Sequence, residues 1–299
     1  MVLFLQQFVN GLAKGGIYAL VAVGFALIYS VLKFSNFAHG GVLSVTAYMA
    51  YFSTVIFQLK NLRGFGMLIT LVVVAILGGL IEVLFDIIGF TQLRKRKSPR
   101  IFHFVCAITL GILCMNVITY FFGSRVYVMP RFFSTVTFKI GGVIIFVLDA
   151  MAFGVSIILI VLLTLLINKT RLGLAMRTVA MDDLTAPLMG ISTTTVIRIS
   201  YFIAGALAGV AGVFLATNYS IDPFVGNNMI VKGFYAAIIG GLGSLPGAVM
   251  GAFFLAISEV ILTNIVGDIN APIVLFAFLL VFLMIRPRGI LGIIAQEKA

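Results

Sequence analysis

Apolar runs long enough to cross a bilayer alternate with short polar breaks along the whole chain. A spanning helix needs about twenty apolar residues. The pattern predicts spans at residues 15–32, 36–57, 64–90, 101–122, 151–168, 199–217, 248–265 and 272–285. Residues 228–242 sit at the short limit for a crossing. As a full span they bring the count to nine, and as a re-entrant half-helix to eight. The alternating ten-residue segments of an outer-membrane barrel are absent. The expected fold is therefore all-α: one polytopic membrane domain over residues 1–299, with about eight to nine transmembrane helices and broken segments near 36–41 and 240–247.

Basic residues orient these spans. Arg94, Lys95, Arg96, Lys97 and Arg100 crowd the break at 92–100 and mark it as cytoplasmic. Arg286, Arg288 and Lys298 place the tail on the same side, and nine crossings then put the N-terminus outside. Lys33 and the basic residues of 169–198 join the inner set, while Lys60, Arg63, Arg125, Arg131, Lys139 and Lys232 fall outside. Residues 123–149 form an external loop whose apolar part, 140–148, is expected to fold against the membrane domain. A basic n-region with a small-residue cleavage site is missing, so no cleaved signal peptide is expected.

Composition agrees. Hydrophobic residues make up 62% of the chain and charged residues 10%, against about 25% charged in soluble domains. The net charge of +11 then reflects basic cytoplasmic loops, and nucleic acid is not an expected partner. Cys106 and Cys114 lie in one apolar run at helical spacing and read as packing residues.

The longest polar break covers residues 169–198. Within it Met176, Ala180, Leu184 and Leu188 recur every fourth residue, the spacing of one helical face. Asp182 and Asp183 can cap a second short helix, and Gly190 can end it in the left-handed region. Pro187 fits only if that helix is short. Two short helices with one apolar stripe either lie on their own protein or the lipid surface, or dock a soluble subunit.

Polar groups also interrupt the spans. The segments Asn36-Phe37-Ala38-His39-Gly40-Gly41 and Gly240-Gly241-Leu242-Gly243-Ser244-Leu245-Pro246-Gly247 break two apolar runs, one in each half. Irregular backbone at membrane depth survives only where protein or a wet cavity satisfies it, and paired interruptions point to a transport pathway. They read equally as tight interfacial turns. Asn36, His39, Gly240, Gly241, Gly243, Ser244 and Pro246 are the pathway or gate candidates on this pattern. His39 lacks neighbours at ligand spacing, so it reads as a hydrogen-bonding residue holding a bend, with no metal site. His103 reads as interfacial. Glu82, Asp86 and Glu259 are carboxylates inside apolar runs, which makes them functional candidates by default. Glu82 and Asp86 approach the basic break, where Arg94 or Lys95 could pair with them. Glu259, near Ser258, Thr263 and Asn264, is a pathway or interface candidate. Gly205-x-x-x-Gly209 with Gly212, and Gly247-x-x-x-Gly251, allow close helix contact, within the chain or with a second subunit. No phosphate-binding G-x-x-x-x-G-K-[ST] and no catalytic constellation is visible, so catalytic residues are not expected.

Four stretches carry a family resemblance: NFAHGG at 36–41; Gly173, Ala175, Arg177, Ala180, Asp182, Ala186, Leu188, Gly190 and Ile191 in the polar break; AAIIGGLGSLPGA at 236–248; and RPRGILG at 286–292. In order and spacing they resemble the permease subunits of branched-chain amino acid ABC importers. The resemblance implies a multi-pass protein of the bacterial cytoplasmic (inner) membrane, in contact with membrane lipid and paired with a second permease. It implies two P-loop ATPases that carry ATP and Mg, no cofactor on this chain, and a periplasmic or lipid-anchored solute-binding protein. It makes 169–198 the cytoplasmic coupling segment, with Arg177, Asp182, Asp183, Leu184, Leu188 and Gly190 as ATPase contacts. Same-fold permeases for urea, short amides or nucleosides are one alternative. An ion-coupled secondary transporter, using Glu82, Asp86 or Glu259, is the alternative from another class.

Overall fold

One long helix, α1 (Val2–Leu32), is the axis against which four of the other spans pack. The computed structural model describes residues 2–130, 132, 137–183 and 185–292, and only the backbone of residues 63 and 140. Every residue of α1 from 15 to 28 is buried, as befits a helix that is apolar on all sides. It begins at Val2, well before the predicted start at residue 15. Two polar side chains of this first stretch, Gln6 and Asn10, have partners. Gln6 Nε2 donates to Asn10 Oδ1 (3.0 Å) and to the carbonyl of Ile144 (2.8 Å), and its own Oε1 accepts the Ile144 amide (2.8 Å).

Ile144 belongs to the one strand pair among the described residues, apart from which there is a single antiparallel bridge between Tyr127 and Ile221. Strands β1 (Thr137–Ile140) and β2 (Val143–Phe146) form an antiparallel hairpin in the loop before the helix that starts at Val147. Its two turn residues, Gly141 and Gly142, have φ of 59° and 88°, the left-handed pair that a two-residue hairpin turn requires. The expected loop at 123–149 thus folds back onto the bundle, gripping α1 through Gln6.

The remaining helices follow in order: α2 (Ala38–Ile56), α3 (Arg63–Phe85), α4 (Thr91–Lys95), α5 (Arg100–Phe122), α6 (Val147–Lys169), α7 (Arg171–Met181), α8 (Thr193–Asn218), α9 (Val225–Gly240), α10 (Leu245–Val266) and α11 (Ala271–Ile285). A π-helical turn, Asp86–Phe90, joins α3 to α4, so the apolar helix runs continuously from Gly64 to Lys95. It therefore extends beyond the predicted end at residue 90. Arg94 and Lys95 occupy its last turn, where cations complement the helix dipole. Among the described residues six helices are long and apolar enough to span a membrane: α1, α3–α4, α5, α6, α8 and α10. With α2, α9 and α11 the bundle accords with the expected polytopic all-α fold of about eight to nine crossings.

The small-residue motifs are spent inside the chain. Gly205 and Gly209 of α8 pack on Gly78, Val74 and Ala75 of α3, and Gly212 packs on Thr46 of α2. Gly247 and Gly251 of α10 pack on Gly240 and Ala236 of α9. A side chain at any of these places would push two backbones apart.

Helices α2 and α9 both start within the bundle, not at its surface. Gly24, deep in α1, packs against the His39 ring, and Gly111, midway along α5, packs against Phe37 and Ala38. Gly226, at the start of α9, packs against Gly40 and Ser44 of α2. Ser44 ties the two starts together: its Oγ donates to the Pro223 carbonyl (2.9 Å) and accepts the Gly226 amide (3.0 Å).

Candidate functional site

The break at 36–41 lies at bundle depth, so its polar groups must be satisfied by protein. Glu82 of α3 does this. Asn36 Nδ2 donates to Glu82 Oε1 (2.9 Å), and His39 Nδ1 lies 3.3 Å from Glu82 Oε2. Asn36 Oδ1 in turn accepts the Ala38 amide (3.2 Å), one of the unpaired donors at the start of α2. Asn36, His39 and Glu82 are 1%, 0% and 0% exposed. A carboxylate only accepts, so the His39 proton sits on Nδ1, and the negative charge faces the positive end of α2. The expected partner of Glu82, Arg94 or Lys95, is thereby corrected. Glu82 lies one helical turn short of the basic end and faces the broken segment. The reading of His39 as a hydrogen-bonding residue at a bend describes the geometry found.

Asp86, one turn further on, does meet the basic end. Its Oδ1 is 2.7 Å from Arg94 Nη2, and its Oδ2 is 3.9 Å from Arg198 Nε at the start of α8. The π-helical turn brings Thr91 onto the same face: its hydroxyl donates to Asp86 Oδ2 (3.1 Å) and accepts from Arg94 Nη2 (3.1 Å).

Glu259 forms a third cluster, with a residue the sequence assigned elsewhere. Lys232 Nζ lies 2.8 Å from Glu259 Oε1 and donates to the Tyr18 hydroxyl (2.9 Å), which itself donates to Glu259 (3.0 Å to Oε2). Lys232, counted on the outside by the charge tally, is midway along α9. A lone lysine can sit there because a carboxylate from α10 and a phenol from α1 converge on it.

The polar break folds as α7 and one 3-10 turn, Ala186–Met189, with Pro187 near its start. Thr170 caps α7 by accepting the Gly173 amide (3.1 Å). Gly190 has φ of 78° and closes the 3-10 turn in the left-handed region, as expected. Asp182 Oδ1 accepts the Thr185 amide (3.3 Å) at the turn between the two elements. Asp183 is exposed and makes no cap for the 3-10 turn, whose N-cap residue, Thr185, carries no side-chain bond. The predicted stripe is corrected. The face of α7 that packs on the bundle is Gly173, Met176 and Val179. Leu188 does not continue it and is 84% exposed, because the tight 3-10 turn changes the helical phase. Leu174, Met181, Leu188 and Met189 are all exposed, with Arg177 among them. Leu184 lies outside the described residues.

The segment 240–247 is a tight turn. Gly241 and Gly243 have φ of 107° and 86°, and Ser244 caps α10 by accepting the Gly247 amide (3.2 Å), with Pro246 in the first turn. The tail docks here too. The Ile290 and Leu291 amides donate to the Ile239 and Gly240 carbonyls (2.8 and 2.9 Å), pairing acceptors that the end of α9 leaves open. This segment turns at one end of the bundle, whereas 36–41 lies deep within it. Gly243 stands beside Tyr29 and Ser30 at the end of α1. Lys33, just beyond, is held below the ordinary lysine pKa by burial and by Arg100. The basic break, the polar break, the 240–247 turn and the tail thus gather at one end of the bundle. Among the described residues no group of three or more His, Cys, Asp or Glu is placed to hold a metal.

Residues 7–285 match the family model described as "Branched-chain amino acid transport system / permease component". The chain is 32% identical to the high-affinity branched-chain amino acid transport system permease protein BraD of Pseudomonas aeruginosa, over 99% of this chain and 98% of that one. It is also 32% identical to the permease protein LivH of Escherichia coli, over 99% and 97%. The probable branched-chain amino acid transport permease protein LivH of Methanocaldococcus jannaschii is 26% identical, over 92% and 88%. No solved structure matches the chain.

Proposed function

The chain belongs to the family of branched-chain amino acid transport permease components, and from that premise we propose how it works as the permease subunit of an ABC importer. Its solutes are leucine, isoleucine, valine and related neutral amino acids, delivered by a solute-binding protein. It sits in the bacterial cytoplasmic membrane with its basic end inside. A second permease completes the pathway, and two P-loop ATPases dock at the basic end and supply the work.

One observation carries the coupling role. The segment between α6 and α8 already buries its own apolar face, Gly173, Met176 and Val179, yet leaves Leu174, Met181, Leu188 and Met189 exposed beside Arg177 and Asp183. Apolar side chains held out from a polar, water-facing element favour a protein partner. Closure of the ATPases would push α7 and the 3-10 turn, and Arg198, whose Nε lies 3.9 Å from Asp86 Oδ2, would carry that push into α3 as an ion pair. The buried carboxylates weigh against an ion-coupled carrier, since Glu82, Asp86 and Glu259 are each engaged by protein partners.

Affinity purification of the tagged chain from its own host should bring down a second permease and P-loop ATPases in stable proportion. Leu188→Asp should lose the ATPases and keep the second permease, because the charge enters the docking patch alone. Wild-type recovery of the ATPases with Leu188→Asp and Met189→Asp combined would refute this surface as the docking site.

A further inference from the structure

Most exposed surface at membrane depth is apolar. The outward faces of α3, α5, α6 and α11 present Leu68, Val72, Ile112, Val161, Phe278 and others of their kind. The two polar exceptions on α5, Thr109 and Asn116, turn back to the Val105 and Ile112 carbonyls (both 2.9 Å). Helix α9 differs. Asn228, Lys232 and Tyr235, at i, i+4 and i+7, share one face. Asn228 is exposed and Tyr235 partly so, and 27% of the Lys232 side chain remains uncovered. Glu259, with which Lys232 pairs, is 9% exposed overall. A lysine part-exposed to lipid would be costly even when paired, so such residues face the bundle interior or water.

We propose that this stripe of α9 lines the aqueous pathway, and that the Lys232–Glu259 pair is a weak transit site for the charged backbone groups of a zwitterionic α-amino acid. The proposal rests on the importer reading above and deepens it. The chemistry is one of partner exchange. An arriving solute brings one carboxylate and one ammonium. The carboxylate takes the Lys232 ammonium, the ammonium takes the Glu259 carboxylate, and the Tyr18 hydroxyl stays bonded to either. Each charge leaves one partner for another of like strength, so the exchange is close to balanced and the site lets go readily. The pair re-forms at 2.8 Å when the solute leaves, which spares the empty pathway an unpaired buried charge. The solute's side chain makes no demand on this site, which suits a carrier whose selection lies in a separate binding protein.

Two measurements on the assembled complex test this. In a Cys106→Ala/Cys114→Ala background, Asn228→Cys and Ile112→Cys are labelled with a small cationic methanethiosulfonate, which needs water to react. Asn228→Cys should react at least about tenfold faster, as a thiolate in water does over one in lipid, and turnover with leucine should slow it. Equal rates would overturn the stripe as a water-lined surface and point to cover by lipid or the second permease. The second measurement uses Lys232→Met/Glu259→Met, since an apolar pair commonly replaces a buried ion pair without loss of stability. Assembly and melting midpoint should match wild type, while the initial rate of ATP-driven leucine uptake falls at least about tenfold, the size of one lost charge-assisted bond. Full uptake by the double variant would assign the pair to packing alone and overturn the transit site. A wild-type complex without ATP-driven uptake would instead defeat the importer reading, and the labelling contrast would still report water along α9.

Discussion

Replacing Glu82 by leucine attacks the most deeply buried polar cluster in the bundle. Asn36 Nδ2 and His39 Nδ1 both lose their acceptor, at 1% and 0% exposure. Each buried donor left unpaired costs about 1–3 kcal/mol, about 2–6 kcal/mol for the two. Relief from holding a carboxylate out of water offsets part of this, leaving a net loss of about 2–4 kcal/mol. Glu82→Gln keeps the shape and one acceptor. Its oxygen still accepts from Asn36 and its N–H faces His39 Nδ1, which accepts once the ring proton moves to Nε2, so the loss is that of the charge-assisted bonds, about 1–2 kcal/mol. The chain has no tryptophan and two cysteines. Both cysteines lie on α5 against the bundle, Cys106 on Gly89 and Cys114 on Gly41, so a thiol-specific fluorogenic dye reports unfolding in mild detergent. The melting midpoints should fall in the order wild type, Glu82→Gln, Glu82→Leu. Asn36→Ala should cost much less in the Glu82→Leu background than in wild type, because the two changes remove the same bond. A Glu82→Leu protein that melts with wild type, or costs that simply add, would refute the assignment of Glu82 to the broken segment.

Other outcomes follow from the packing and the charge pattern. Gly205→Leu should prevent a cooperative melt, since a side chain there meets the Gly78 carbonyl and the Glu82 Cβ; a wild-type transition would sink the close α3–α8 contact. Arg94→Gln should destabilise by about 1–3 kcal/mol, because it strips the nearest cation from a buried carboxylate while Arg198 and Thr91 remain. An unchanged midpoint would show that this ion pair does not form. For orientation, single cysteines at Ser98, Ser124 and Thr185 in the cysteine-free background should react with an impermeant reagent from outside only at Ser124; reaction at Ser98 would invert the topology and remove the basis for ATPase docking.

The apolar runs made the spans legible, and local chemistry made some of the turns legible. Gly190 was readable because a left-handed residue must close a short helix, and Asp86 because its partner Arg94 is near in sequence. Glu82 was not readable: its partners Asn36 and His39 lie on an element that returns to the bundle core, and no local pattern states how deep a break sits. Lys232 was hidden for the same reason. A charge tally counts a lysine as a loop marker, and only the convergence of Tyr18 and Glu259 makes it tolerable inside a helix. The α7 stripe failed at Leu188 because a 3-10 turn follows a different period from the α-helix before it. The hairpin at 137–146 went unread in a loop judged only by its apolarity, although its Gly-Gly turn was in view.

The central claim is that this chain moves neutral branched-chain amino acids as one part of an ATP-driven importer. Proteoliposomes holding the full complex, with ATP on the ATPase side and loaded binding protein on the other, test it most directly. Leucine or isoleucine should accumulate only with both present, and collapsing proton and sodium gradients should leave the initial rate nearly unchanged. Uptake by this chain alone under an imposed ion gradient, without ATP or binding protein, would contradict the account.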